Sequence, residues 1–163
     1  MNTNYAGFWL RLVAFIIDAI IIGCVRSFVL VPILAAMGIG LSQNIPTNME
    51  DPADMMPLIA SIMALAGVVS IISMVITVLY YSILESSNMQ ASVGKMALGL
   101  IVVDESGQKL DFSKALVRNL CKIVSWMIMG IGFIMAGFTD KKQGLHDIIA
   151  KTIVVKKAAA VAV

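Results

Sequence analysis

Apolar residues in this chain do not alternate with polar ones. They fill three long blocks: Phe8 to Leu41, Pro57 to Leu84 and Ala115 to Phe138. About 20 residues at 1.5 Å rise cross the hydrocarbon of a bilayer, so each block has the length of a membrane span. The first is too long for one, being interrupted by Arg26 with Pro32 following. It predicts a span over about 8–28, with Arg26 reaching the far interface, then an interfacial or kinked helix from Val29 to Leu41. The second predicts a span over 57–84.

The third block, 115–138, reads differently. Its last part, Ile123 to Phe138, is only 16 residues, with Gly130 and Gly132 in its middle. Glycine permits a break or tight bend, so a helical hairpin or re-entrant pair is expected. Two other runs, Leu100 to Val103 and Thr152 to Val155, are rich in β-branched residues. They read as strands, with a turn over Glu105-Ser-Gly-Gln108, and are expected to pair as a small cytoplasmic β element. The alternative is two isolated extended segments at the interface. The apolar tail from Ala158 to Val163 is expected to be frayed.

Composition agrees with a lipid solvent. Of the 163 residues, 60% are hydrophobic and 13% charged, against about a quarter charged in a soluble domain; mean hydropathy is +0.94. Net charge is a weak +2, but its placement is informative. The loop 42–56 contains Glu50, Asp51 and Asp54 and no Lys or Arg, whereas ten of the twelve basic residues follow the second span. The positive-inside rule then puts that acidic loop outside and both termini in the cytoplasm. A third block that crossed once would export the lysine-rich tail, which again favours the hairpin. The N-terminus has no cleavable-signal pattern, so the first apolar segment is expected to be retained. Cys24 and Cys121 read as small buried hydrophobes.

Candidate chemistry is sparse. On a helix, Arg11 and Asp18 face nearly the same way, and Arg26 falls within about 80° of Asp18. Charge at the centre of a span costs about 2.5–3.5 kcal/mol per residue, so these residues should face protein or a water-filled cavity. Asp18 is the deepest. It reads either as a proton- or cation-handling carboxylate tuned by Arg11, or as a buried strut pairing with another helix. On the second span Gly67, Ser70, Ser73, Thr77, Tyr81 and Glu85 recur at three- and four-residue steps. Such a face is a helix-packing seam or the wall of a polar pathway, and is expected opposite Arg11 and Asp18. His146 is the only histidine; it is a conceivable proton relay or a structural residue. Asp147 is placed to cap the following segment or to pair with Arg118 or Lys95. Gly94-Lys95 lacks the glycine pattern of a phosphate loop. No Cys/His cluster has metal-ligand spacing, no basic-aromatic run points to nucleic acid, and no spacing points to hydrolysis. No cofactor, no metal and no enzymatic activity are expected.

Several segments together resemble the RDD family of bacterial integral membrane proteins. They are Gly7-Phe-Trp-Leu-Arg11 with Ala14-Phe-Ile-Ile-Asp18, Gly94-Lys95, Leu98-Gly-Leu100 with Val103-Asp104, Phe112 to Arg118, and Leu145-His-Asp147 with Thr152 to Val155. The resemblance runs from about Tyr5 to Val155. It implies that Arg11 and Asp18 are the arginine and first aspartate that name the family. Asp147 is the choice for the second, with Asp104 and Asp140 as alternatives. Ser92 stands where a threonine is common. The family's molecular role is mostly unassigned, and sodium/proton antiport has been suggested for some members.

These readings predict one all-α membrane domain over 1–163, with two long spans, a broken third element and a small β element. They place it in the bacterial inner membrane. The proposed charge cluster is Arg11, Asp18 and Asp147, supported by Ser70, Ser73, Thr77, Tyr81 and Glu85. Two functions follow: a monovalent cation/proton exchanger acting as a homo-oligomer with Na+ or H+ as ligand, or a non-transporting module that scaffolds or regulates a partner.

Overall fold

The computed structural model describes residues 5–42, 55–127 and 131–157. The acidic loop, Gly130 and the tail from Ala158 fall outside them. The chain is mostly helical. Helix α1 spans Phe8–Ser42 and α2 spans Met56–Ser86; the short α3 is Val93–Ala97, followed by strand β1, Leu100–Asp104. Then come α4 (Phe112–Met127), α5 (Ile131–Ile134), a 3-10 turn at Met135–Gly137, α6 (Leu145–Ile149) and β2 (Thr152–Lys156).

Two helices are long and apolar enough to cross a membrane, Phe8–Gly38 and Met56–Ser86. Their large apolar side chains point outward; Phe28 is 87% exposed and Met63 68%. Such surface is stable only in an apolar solvent. The limits of α2 match the sequence expectation. Those of α1 do not: the expected span over 8–28 and the separate segment from Val29 to Leu41 are one helix, with Pro32 inside it. A single proline removes one backbone bond, and a spanning helix tolerates that. Cys24 is exposed on this helix and Cys121 is half-buried, so neither is the core residue its apolar setting implied; apolar sequence here marks lipid-type surface as much as interior.

The described chain forms two compact units. One comprises Met1–Ile21 with Thr77–Val163, the other Ile22–Ile76. Among the described residues the second holds the later part of α1 and the earlier part of α2. Within it, an Arg26 guanidinium nitrogen donates to the Ser73 carbonyl oxygen at 3.4 Å.

The first unit is organised by its sheet. β1 and β2 pair antiparallel, with Val102 opposite Val154 and Ile101 opposite Val155. This is the expected pairing. Side chains alternate across the ribbon, and both faces are covered. Leu100, Val102 and Val154 pack with Ala6, Leu110 and Ala115, while Ile101, Val103, Ile153 and Val155 pack with Tyr5. A lone hairpin is marginal in water. Here the edges are closed as well: Tyr5 bridges to Val155, and the Val102 amide donates to the Gln90 carbonyl at 2.7 Å.

α4 is amphipathic in an inverted sense. Ala115, Arg118, Asn119 and Ser125 are buried, while Val117, Leu120 and Val124 are exposed. In a water-soluble helix the polar side faces out. The expected break at Gly130 lies outside the described residues; α4 and the four-residue α5 stand on either side of it. Gly132 makes their packing possible: a Cβ there would lie 2.6 Å from Ser125 Oγ and 3.1 Å from Leu145 Cβ.

Candidate functional site

The first unit buries an unusual set of ionisable side chains, and two constellations account for them. The larger is centred on Asp147 and Glu85, both fully buried. Asp147 sits in the first turn of α6 and closes that turn on itself, since Asp147 Oδ2 accepts the Gly144 amide at 3.2 Å. Arg118 Nε and Nη2 donate to Asp147 Oδ1, each at 2.8 Å. Arg11 Nη1 donates to Oδ2. Arg11 is fixed in turn by the Ala6 carbonyl at 2.9 Å and the Lys142 carbonyl at 2.6 Å. One carboxylate thus joins the start of α1, the middle of α4 and α6.

Arg118 reaches further. Its Nη1 donates to Glu85 Oε2 at 2.6 Å, so one guanidinium links both carboxylates. A planar fork with five donors suits that role. Glu85 lies near the end of α2 and also accepts from Lys95 Nζ at 2.5 Å and Asn119 Nδ2 at 3.1 Å, with Lys122 Nζ at 3.6 Å. Asn119 is one position from Arg118, so adjacent residues of α4 serve the same carboxylate. The Lys122 ammonium lies 4.1 Å from the centre of the Tyr81 ring, within cation–π range.

The smaller constellation surrounds Asp18, which is 1% exposed. Its Oδ1 accepts the Gly94 amide at 2.7 Å and the Tyr80 hydroxyl at 3.0 Å; Oδ2 accepts the Ser92 hydroxyl at 2.5 Å. Asp18 thereby gathers the end of α2 and the entry to α3 onto α1. Gly94 is required for this approach. A Cβ at that position would clash with the Ala14 carbonyl oxygen and lie 3.0 Å from Asp18 Cγ.

Electrostatics follow from this packing. Burial alone would raise the Asp147 carboxyl, but the Arg118 and Arg11 guanidinium groups override it and hold the group well below the usual carboxylate range. Burial pulls the Lys95 ammonium down from its ordinary value; the Glu85 carboxylate opposes this and Arg118 adds to it. His146 is desolvated and lowered to about 3, so it is neutral near pH 7. Its Nε2 lies 3.4 Å from Asp147 Oδ1, and its ring packs on Phe133 at 5.0 Å. A relay that titrates near neutrality, one of the two readings of His146, does not fit this setting.

The structure brings Arg11 and Asp147 into contact and places Asp18 in a separate set of bonds. Of the alternatives to Asp147, Asp140 is exposed, and Asp104 binds the Ser106 and Gln108 amides in a turn and faces Lys114 at 3.6 Å. On α2, Tyr81 and Glu85 are buried in the first unit with Ser82. Thr77 also belongs to that unit, while Ser70 and Ser73 belong to the other; Ser70 is exposed and its hydroxyl donates to its own helix at the Ala66 carbonyl. The fully buried positions of the expected polar face are Tyr81 and Glu85, in the last turns of α2. Arg118 is the partner that spacing offered for Asp147, whereas Lys95 pairs with Glu85 instead. The roles of Tyr80 and Asn119 had no sequence signal beyond polar residues in apolar surroundings, and the family resemblance at Ser92 and Gly94 did not point to Asp18. Among the described residues no group of His, Cys, Asp and Glu has the arrangement of a metal site.

Comparison with known proteins gives four findings. The model of the RDD family matches residues 5–151. The chain is 40% identical over 153 residues to the uncharacterized protein YxaI of Bacillus subtilis (strain 168), covering 93% of this chain and 97% of that protein. It is 26% identical over 157 residues to the uncharacterized membrane protein YteJ of the same organism, covering 93% of this chain and 80% of that one. No solved structure matches.

Proposed function

This chain belongs to the RDD family and is a membrane protein with two candidate spans, and on that premise we propose that it is a multi-pass inner-membrane module that holds its buried charges in place and does not conduct through them. One observation carries the reading: every buried carboxylate of the first unit is saturated with donors. Asp147 accepts from two guanidinium groups and an amide, Glu85 from Arg118, Lys95 and Asn119, and Asp18 from two hydroxyls and an amide. A transported cation needs oxygen ligands that can be released to it. Glu85 and Asp147 lie among fixed positive charges, which repel a cation. A network of this kind suits a clamp that fixes the ends of α1 and α2 to the β element. In this reading the termini and the β element are cytoplasmic, loop 42–56 is external, and the exposed apolar face of α4 lies in lipid. The β element and its surroundings are then the surface offered to a partner, and no enzymatic step is involved.

The second reading is exchange of a monovalent cation for a proton at Asp18. It is favoured by the position of this carboxylate on a candidate span and by the Tyr80 and Ser92 hydroxyls beside it, which can serve as oxygen ligands. So few helices enclose a pathway only in a homo-oligomer. One experiment separates the readings. The protein is reconstituted in liposomes and internal pH is followed after a sodium or lithium pulse. The module reading expects no change beyond that of empty vesicles. Flux that Asp18→Asn abolishes would overturn it and establish exchange. Recovery of the chain alone from cross-linked native membranes would remove the partner.

A further inference from the structure

With Lys122 protonated, the larger constellation carries more positive than negative charge. Arg11, Lys95, Arg118 and Lys122 converge on two carboxylates, and His146 is neutral. Adding Asp18, which is held by neutral donors, still leaves one cation in excess. Uncompensated charge away from water is costly, and burial accordingly pulls the Lys122 ammonium down to about 7, so near neutral pH an anion beside it would hold its proton.

The four cations are not equally committed. Arg118 contacts both carboxylates, Arg11 contacts Asp147, and Lys95 contacts Glu85. Lys122 stands off from Glu85 at 3.6 Å, too far for a direct hydrogen bond. Its ammonium donates to Asn119 Oδ1 at 2.6 Å and rests against the Tyr81 ring. With a side chain 18% exposed, it is the most accessible of the four. An ammonium has three donors, and here no anionic acceptor is in direct contact with any of them. One face of the same helix, Val117, Leu120 and Val124, is apolar and exposed.

We propose that Lys122, backed by Lys95, is the binding residue of a site for a phosphate-type oxyanion, supplied by an anionic phospholipid headgroup or by free phosphate. A compact ammonium is an effective point-charge partner for phosphate. The bound anion restores charge balance to the constellation. The site is independent of whether the chain transports ions.

The test uses the full chain in nanodiscs of phosphatidylcholine, of phosphatidylcholine with phosphatidylglycerol, and of phosphatidylcholine with added inorganic phosphate at matched ionic strength. The melting midpoint is expected to rise with phosphatidylglycerol or with phosphate. A rise with the lipid alone assigns the headgroup; a rise with inorganic phosphate assigns the free ion. Lys122→Gln should require roughly tenfold more ligand for the same rise, Lys122→Arg should retain it, and Lys141→Gln, at an exposed lysine facing Glu105, should respond like wild type. Amine labelling of the unmodified protein, read by peptide mass spectrometry, covers the case in which Lys122→Gln does not fold. Ligand should protect Lys122 and not Lys141. Equal midpoints in all three preparations, an unaltered response in Lys122→Gln, or unchanged labelling of Lys122 would overturn the site.

Discussion

Replacing Arg118 with methionine is the sharpest perturbation of the ion network. Methionine has similar length and suits a buried position, so the change removes charge and donors more than volume. Arg118 is 1% exposed, and its loss deprives Asp147 of two donor contacts and Glu85 of one. Breaking a buried ion pair from one side costs about 3–5 kcal/mol, because the partner stays buried and unpaired. Here neither carboxylate is left bare. Asp147 keeps Arg11 and the Gly144 amide, and Glu85 keeps Lys95 and Asn119. The cost should therefore fall near the lower bound, about 3 kcal/mol. At roughly 2–4 °C per kcal/mol for a chain of this size, the melting midpoint should drop by about 6–12 °C. The assay is thermal unfolding of the detergent-solubilised protein. A double-mutant cycle with Asp147→Asn isolates the shared bond: the double variant should lose less than the two single losses combined. A drop under 2 °C in Arg118→Met, or strict additivity in the cycle, would refute the clamp.

Other perturbations test other parts. Gly94→Ala places a methyl group against the Ala14 carbonyl and displaces the amide from Asp18; overpacking and a lost bond to a carboxylate should together cost about 2–4 kcal/mol, seen as a lower midpoint, and unchanged melting would count against the approach of α3 to α1. Gly132→Val should be at least as disruptive to α4, α5 and α6, because its Cβ meets Ser125, and full retention of folded yield on size-exclusion chromatography would contradict that packing. His146 titrates at about 3 in the fold against 6.5 ordinarily, so the unfolded chain binds the extra proton between these values and stability falls as pH drops from 6.5 towards 3. At pH 4.5 the loss should be on the order of 2–3 kcal/mol, and melting curves of His146→Gln should be flatter over that range than those of wild type. The depressed Asp147 carboxyl stabilises the fold fully at higher pH and loses that contribution from about pH 3.9 downward, so it adds to the pH dependence only there.

Much of the architecture is legible along the chain because lipid imposes a simple rule. Unbroken apolar runs such as 57–84 have no other solvent, and the β-branched runs at Leu100 and Thr152 have no comparably favourable alternative to pairing. Arg11, Asp18 and Asp147 stand out because charge in apolar surroundings is costly and must find partners. Local sequence therefore determined the second long helix, the sheet and the residues with an electrostatic problem to solve. It could not determine the solutions, which depend on contacts between distant positions. Arg11 meets Asp147 from 136 residues away, and Asp18 meets Gly94 from 76. An amide donor such as that of Gly94 exists at almost every position and carries no signal of its own. Only the tertiary structure decided that Arg118 would join two carboxylates, that Asp18 would bind neutral donors, and that Lys122 would stand off from Glu85 at 3.6 Å. Which donor reaches which acceptor is set by backbone approach and burial, and neither is encoded at a single position.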